Sequence, residues 1–207
     1  MSEAVLKSEM VRLFIALAVP AAVMAELKRA QAELREQLPG DVVRWTRPEQ
    51  IHLTLKFLGG MAFSQVDPLG QVVRKACHDF PPLHLHAERI GFFPQIRHPR
   101  VIWVSVRDDQ EQLGPLQKAI AEAAAPFTLE KDEKEFTAHL TLGRTKNIRA
   151  HQARVLAEAS QGMANRVFGN WTADKVDIMR SELHSTGRSY SCLASIPLSG
   201  SKPRPGA

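Results

Sequence analysis

The sequence predicts an α+β fold of bilobal, duplicated design: two antiparallel sheets flanked by helices, with a central cleft carrying two His-x-Thr-x strands. Three observations predict it. His-Leu-Thr-Leu occurs twice, at residues 52–55 and 139–142. Segments of two-residue and 3.6-residue hydrophobic period follow one another as strand, helix, histidine strand, helix, strand, and the order is run through twice. The two runs also keep step, since Phe14 stands 38 positions before His52 and Ile102 stands 37 before His139.

Residues 12–19 read as a strand. From Pro20, which fits the first turn of a helix, Val23, Leu27, Ala30, Leu34 and Leu38 recur at helical spacing until Pro39-Gly40 ends the run. A turn around Arg47-Pro48-Glu49 leads into the first histidine strand. Beyond Gly59-Gly60, Ser64 and Asp67 have capping-box spacing, and Val66, Leu69, Val73, Ala76 and Phe80 form one helical face up to Pro81-Pro82. Residues 83–90 alternate as a strand, and residues 91–99, rich in Gly, Pro and aromatics, read as a loop. The second run opens with a strand at 101–106 and a helix whose face is Leu113, Leu116, Ile120 and Ala124, then reaches the second histidine strand. A helix over 150–159 and strands around 167–171, 176–183 and 190–198 follow. The expected organisation is a single domain over 1–207, made of lobes at about 10–90 and 100–198, with polar or Pro/Gly-rich flexible tails at 1–9 and 199–207.

At 207 residues the chain can hold one sizeable core or two small lobes sharing one. Hydrophobic residues at 44% and charged residues at 24% are ordinary globular proportions. A net charge of +5 and a pI near 9.5 favour an anionic partner such as RNA or a nucleotide, without a concentrated basic run. Cys77 and Cys192 lie far apart and lack metal-ligand spacing, which suggests reduced thiols in a cytoplasmic protein. Residues 13–25 superficially resemble a signal peptide, but Glu3 and Glu9 spoil the positive leading region. No apolar stretch approaches the roughly 20 residues that span a bilayer. The expectation is a monomer with no membrane partner.

On a strand, alternation puts His52 and Thr54 on one face and both leucines on the other, and the same holds for His139 and Thr141. Two residues rise roughly 6.6 Å, which lets an imidazole and a hydroxyl grip different atoms of one phosphate-sized group. Two such strands facing each other make a site of two histidines and two threonines.

These motifs and their surroundings resemble the 2H phosphoesterase superfamily, specifically its RNA 2′,3′-cyclic phosphodiesterase branch, historically called 2′-5′ RNA ligases. The resemblance covers residues 10–198. It rests on Arg-Leu-Phe-Ile-Ala-Leu at 12–17, on the stretch from Arg44-Trp45 to Gly59, and on 91–104 with its Phe-Pro and Pro-Arg-Val-Ile-Trp elements. Residues 138–144 and Ser181-Glu182-Leu183, followed by Gly187 and Tyr190, complete it. It implies hydrolysis of RNA 2′,3′-cyclic phosphate ends, or of cyclic nucleotides, to a 2′-phosphomonoester, with ligation as the reverse reaction. Such chemistry needs one base and one acid on opposite sides of phosphorus, and imidazoles serve as either near neutrality. His52 is expected to be the proton donor and His139 the acceptor. Thr54 and Thr141 are expected to bond the non-bridging oxygens and Arg144 to add a charged contact. Neither metal nor cofactor is expected.

Other readings compete. Lys56 shares a strand face with His52 by alternation. Arg144 is at odd spacing from His139 and reaches the site only if the strand ends or twists near Gly143. His84 and His86 share a face with Glu88, which suggests a divalent metal site and hence a metal-dependent hydrolase. Trp45, Phe92, Phe93 and Trp103 are candidates for base stacking as well as for the core, with Phe92-Phe93 favoured by their loop position. A non-catalytic RNA- or nucleotide-binding module is the third class, and it has no need of both histidines.

Overall fold

The structure is a computed structural model that describes residues 9–38, 42–129, 135–146, 148–185 and 187–201. Among these it forms nine strands and four helices. The strand β1 (Met10–Leu17) leads through Pro20 into α1 (Ala21–Gln37), which buries Val23, Leu27, Ala30 and Leu34 as the spacing requires. Next come β2 (Val43–Trp45), too short to leave a periodic signal, and β3 (Leu53–Ala62). The helix α2 (Val66–Cys77) buries Val66, Leu69 and Val73, but the expected Ser64 capping box is not made. Ser64 instead sits in the 3₁₀ turn Phe63–Gln65, ahead of the helix.

The strand β4 (Leu83–Phe93) runs three residues further than its alternation suggested, because Phe92 and Phe93 pair with Ile102 and Val101 instead of forming a loop. The rest follow as β5 (Val101–Asp108), α3 (Leu113–Ala124), β6 (His139–Thr145), α4 (Ala150–Gln161), β7 (Val167–Ala173), β8 (Lys175–His184) and β9 (Gly187–Pro197). The fold class is α+β with a large antiparallel sheet. Its order is β7-β4-β5-β6-β3-β1-β8-β9, with β2 beside β6.

At the centre β3 and β6 share a single rung, Leu53 opposite Leu140. The sheet is therefore two half-sheets meeting edge to edge. They are not the lobes expected at about 10–90 and 100–198: β4 joins β5 and β7, while the β8–β9 hairpin crosses to β1. Periodicity locates strands without assigning their partners. The helices cover one face. There α1 packs on β7 and α4, and α2 packs on β9 and α3, over a core that includes Leu13, Ile15, Leu17, Leu53, Leu55, Ile102, Leu140 and Leu142. Each such side chain contributes about 1.5–3 kcal/mol on burial. The other face is left for the cleft.

The described ends of the chain are tied down. The Glu9 carbonyl accepts from the Phe63 amide and its carboxylate pairs with Arg180 at 2.6 Å, while the Gly200 amide donates to Phe80. The remainder of the expected tails lies outside the described residues. No helix among those residues is long and apolar enough to cross a membrane.

Candidate active site

Thr54 and Thr141 stand on the cleft face, and their flanking leucines are buried among the helices, as alternation requires. Antiparallel register about the Leu53–Leu140 rung sets His52 across from Thr141 and Thr54 across from His139. Each histidine thus faces the other motif's threonine.

A bulge follows each motif at the same place. In β3, Thr54 pairs with Ala16 but Lys56 with Ile15, leaving Leu55 as the extra residue; in β6, Thr141 pairs with Trp103 but Gly143 with Ile102, leaving Leu142. An extra residue reverses the alternation beyond it. Both bulges are held by a glutamine from a helix: Gln117 Nε2 donates to the Leu55 carbonyl at 3.1 Å, and Gln31 Nε2 donates to the Leu142 carbonyl at 2.8 Å. Buried Gln31 also bonds the Thr46 carbonyl.

The bulges decide two sequence expectations. Arg144, opposite Val101, returns to the face of Trp103 and Thr141, so the twist it needed is supplied at Leu142. Lys56 goes the other way. Its partner is Ile15, so it leaves the cleft face and is 5% exposed. The residue that takes Arg144's place in the first motif is Phe57, opposite Phe14. Gly143 is required where it stands, because a Cβ there would come within 2.7 Å of Val43 Cγ1 on the adjoining β2.

Both imidazoles are anchored from behind. His139 Nδ1 lies 2.7 Å from the Thr137 carbonyl, and His52 donates to the Gln50 carbonyl, also two residues upstream. For His139 this bond assigns the proton to Nδ1 and leaves Nε2 for the cleft. Burial lowers the His52 pKa to about 4, against the bond to Gln50, and His139's charge lowers it further. His139 is lowered too, chiefly by burial and then by the Arg144 guanidinium, with the bond to Thr137 opposing. Both shifts favour the uncharged imidazole.

Aromatic rings fix the outer edges. Phe14 stacks on His52 at 4.5 Å and Tyr190 meets it edge-on at 5.3 Å. Phe93 and Trp103, stacked at 4.8 Å, meet His139 edge-on. Of the four stacking candidates, these two line the cleft. Phe92 packs against the core, and Trp45 lies opposite Gly143 with Arg35 over its ring. On the sequence Phe14 marks the register of the two copies and belongs to the resemblance without a site role, and Tyr190 enters only through the resemblance.

The metal alternative loses its ligand set. His86 Nε2 bonds Asp109 Oδ2 at 2.6 Å, His84 bonds Thr172, and Glu88 turns to Arg89 and Arg107. Among the described residues no group of three His, Cys, Asp or Glu side chains is placed to hold a metal.

Comparison with known proteins bears on the family and the fold. A profile of the family described as LigT like phosphoesterase matches residues 17–103 and again 104–189. Proteins named RNA 2′,3′-cyclic phosphodiesterase are similar: that of Aquifex aeolicus is 25% identical, over 93% of this chain and all of its own, and that of Methanothermobacter thermautotrophicus is 28% identical, over 87% and 95%. A crystal structure of a Thermus thermophilus protein, TT0787, superposes with a TM-score of 0.75 at 25% identity, covering 92% of this chain and all of that one. E. coli LigT complexed with 3′-AMP gives 0.71 at 20% identity, covering 92% and 99%, which bears on the fold. The chain belongs to the LigT-like phosphoesterases of the 2H phosphoesterase superfamily.

Proposed function

We propose that this protein hydrolyses RNA 2′,3′-cyclic phosphodiester ends to 2′-phosphomonoesters by metal-independent acid/base catalysis, and that the same site joins RNA ends by a 2′-5′ linkage in reverse. One observation carries the reading. Two imidazoles, each tethered to the carbonyl two residues upstream, face one cleft with a threonine hydroxyl across from each. The names of the relatives from Aquifex and Methanothermobacter support the choice of substrate.

His139 takes the proton from the attacking water, and His52 protonates the departing 3′ oxygen, so the phosphate stays on the 2′ oxygen. Each positioned proton transfer is worth about 10²- to 10⁴-fold. Thr54 and Thr141 donate to the non-bridging oxygens, and Arg144 neutralises the charge that builds there. Two electrostatic effects bear on this division of labour. A bound phosphate anion favours imidazolium in a dry cleft, and Arg144 opposes protonation at His139. In the free protein burial disfavours the charge strongly on His52, whose pKa falls to about 4, so a donor His52 gains its proton together with the phosphate substrate.

The test is incubation of purified protein with an oligonucleotide ending in a 2′,3′-cyclic phosphate, in EDTA, with products resolved as 2′- or 3′-phosphate. Exclusive 2′-phosphate is expected. A 3′-phosphate product reverses the leaving group, and activity that appears only on adding zinc or manganese defeats the metal-free scheme.

A further inference from the structure

A cavity of about 430 Å³ opens beside His52 on the cleft face. Its walls are mostly apolar, drawn from Ala16, Ala18, Met24, Ile51 and Tyr190, and two carboxylates interrupt them, the exposed Glu49 and the buried Asp177. The cavity exists because of a small residue. Ala16 lies opposite Thr54, where the second half-sheet has Trp103 opposite Thr141. A volume of this size falls within the roughly 300–1,000 Å³ of small-molecule sites, which are apolar with a few placed polar groups.

Asp177 is 8% exposed. Its backbone pairs with Ala16 and Ser195, and Ser195 Oγ donates to its Oδ1 at 2.5 Å. No partner among the described residues engages Oδ2. A carboxylate accepts at both oxygens, and leaving one unbonded inside an apolar wall is costly unless something brings a donor. Around it the lining is mostly apolar and includes the Tyr190 ring and the His52 imidazole.

We propose that this cavity receives the base of the nucleotide that carries the cyclic phosphate, and that Asp177 Oδ2 accepts a hydrogen bond from its exocyclic amino group. The proposal rests on the function given above. Adenine, guanine and cytosine carry that amine; uracil presents a carbonyl, which would set oxygen against oxygen in the buried wall. Discrimination follows from the unpaired acceptor left by the wrong base.

Turnover of the 2′,3′-cyclic monophosphates of all four nucleosides, by wild type and Asp177→Asn, tests it. In wild type kcat/KM for the three amino-bearing bases exceeds that for uridine by roughly tenfold, mostly through KM. Asp177→Asn levels the four, the amino-bearing substrates losing and the uridine substrate gaining as the oxygen-against-oxygen contact is removed. Absence of base preference in wild type, preference that persists in the variant, or equal loss on all four substrates overturns the proposal. Calorimetric binding of adenosine and uridine 2′-monophosphates reads the pocket without turnover. If no cyclic nucleotide is opened yet the adenosine compound binds tighter in wild type alone, the phosphodiesterase reading has failed and the base site stands.

Discussion

The two half-sheets repeat one design and then depart from it at three corresponding positions. When His52 is laid on His139, Ile15 falls on Ile102, both fully buried beside the bulge. Ala16 falls on Trp103, Lys56 on Gly143 and Phe57 on Arg144. The first histidine consequently has a cavity beside it and a phenylalanine beyond it; the second has a ring pair beside it and a guanidinium beyond it. A duplicated acid/base pair needs such differences, because two identical imidazoles in identical surroundings have no reason to take opposite roles. Arg144 also faces Arg44 directly across β2 and β6, and like charges so placed repel. An anion at this edge relieves that repulsion.

The sharpest way to break the comparison is to remove each imidazole. His52→Ala and His139→Ala are each expected to lower kcat/KM by about 10²- to 10⁴-fold. The double variant loses far less than the product of the two, since both protons move in one reaction. Full activity in either single variant, measured on a cyclic-phosphate oligonucleotide, removes that histidine from the scheme.

The next effect concerns stability. The His52 pKa falls from 6.5 unfolded to about 4 folded, so between those values the unfolded chain binds the extra proton. This contribution is fully present above pH 6.5 and is lost as pH falls toward 4, amounting to about 3 kcal/mol. His139 adds a contribution of the same sign. Denaturant midpoints from pH 7.5 to 4 follow this slope, and His52→Ala flattens more of it than His139→Ala does. An unchanged slope in His52→Ala shows that burial does not hold the imidazole neutral.

Arg144→Gln compares the halves at their clearest difference. Loss of one charge-assisted contact lowers kcat/KM by roughly 10- to 100-fold. The His139 pKa rises as the guanidinium is removed, so the limb of the kcat/KM profile that reports its deprotonation moves to higher pH. Phe57→Ala, at the equivalent place, leaves kcat/KM unchanged. Equal losses in the two variants erase the asymmetry.

What the residues disclose on their own follows from which signals are local. Alternation puts each histidine and threonine on one face and its leucines in the core, so the paired motif is legible. The bulges at Leu55 and Leu142 are not, because an extra residue depends on the partner strand and on distant glutamines, Gln117 and Gln31. That is why alternation sends Lys56 to the cleft and leaves Arg144 in doubt. Strand partners escape for the same reason, and β2 is too short to leave a period. The contrast of Ala16 with Trp103 is available without coordinates, by superposing the motifs, but matching Phe14 to Ile102 sets the two copies one residue out of step and hides it.

The smallest effect separates the two threonines. Each deletes one hydrogen bond to the phosphate, about 1 kcal/mol or roughly fivefold in kcat/KM. The halves differ in what remains. Under the proposed roles Arg144 still holds the phosphate on the Thr141 side, whereas on the Thr54 side the equivalent residue is Phe57, which carries no charge. Thr54→Ala is therefore expected to lose about tenfold and Thr141→Ala about threefold, bracketing the value for one bond. In an Arg144→Gln background the difference should close, because the loss from Thr141→Ala rises to match. Steady-state kinetics on the four variants decide it: an additive double variant means that Arg144 and Thr141 act on different atoms of the substrate.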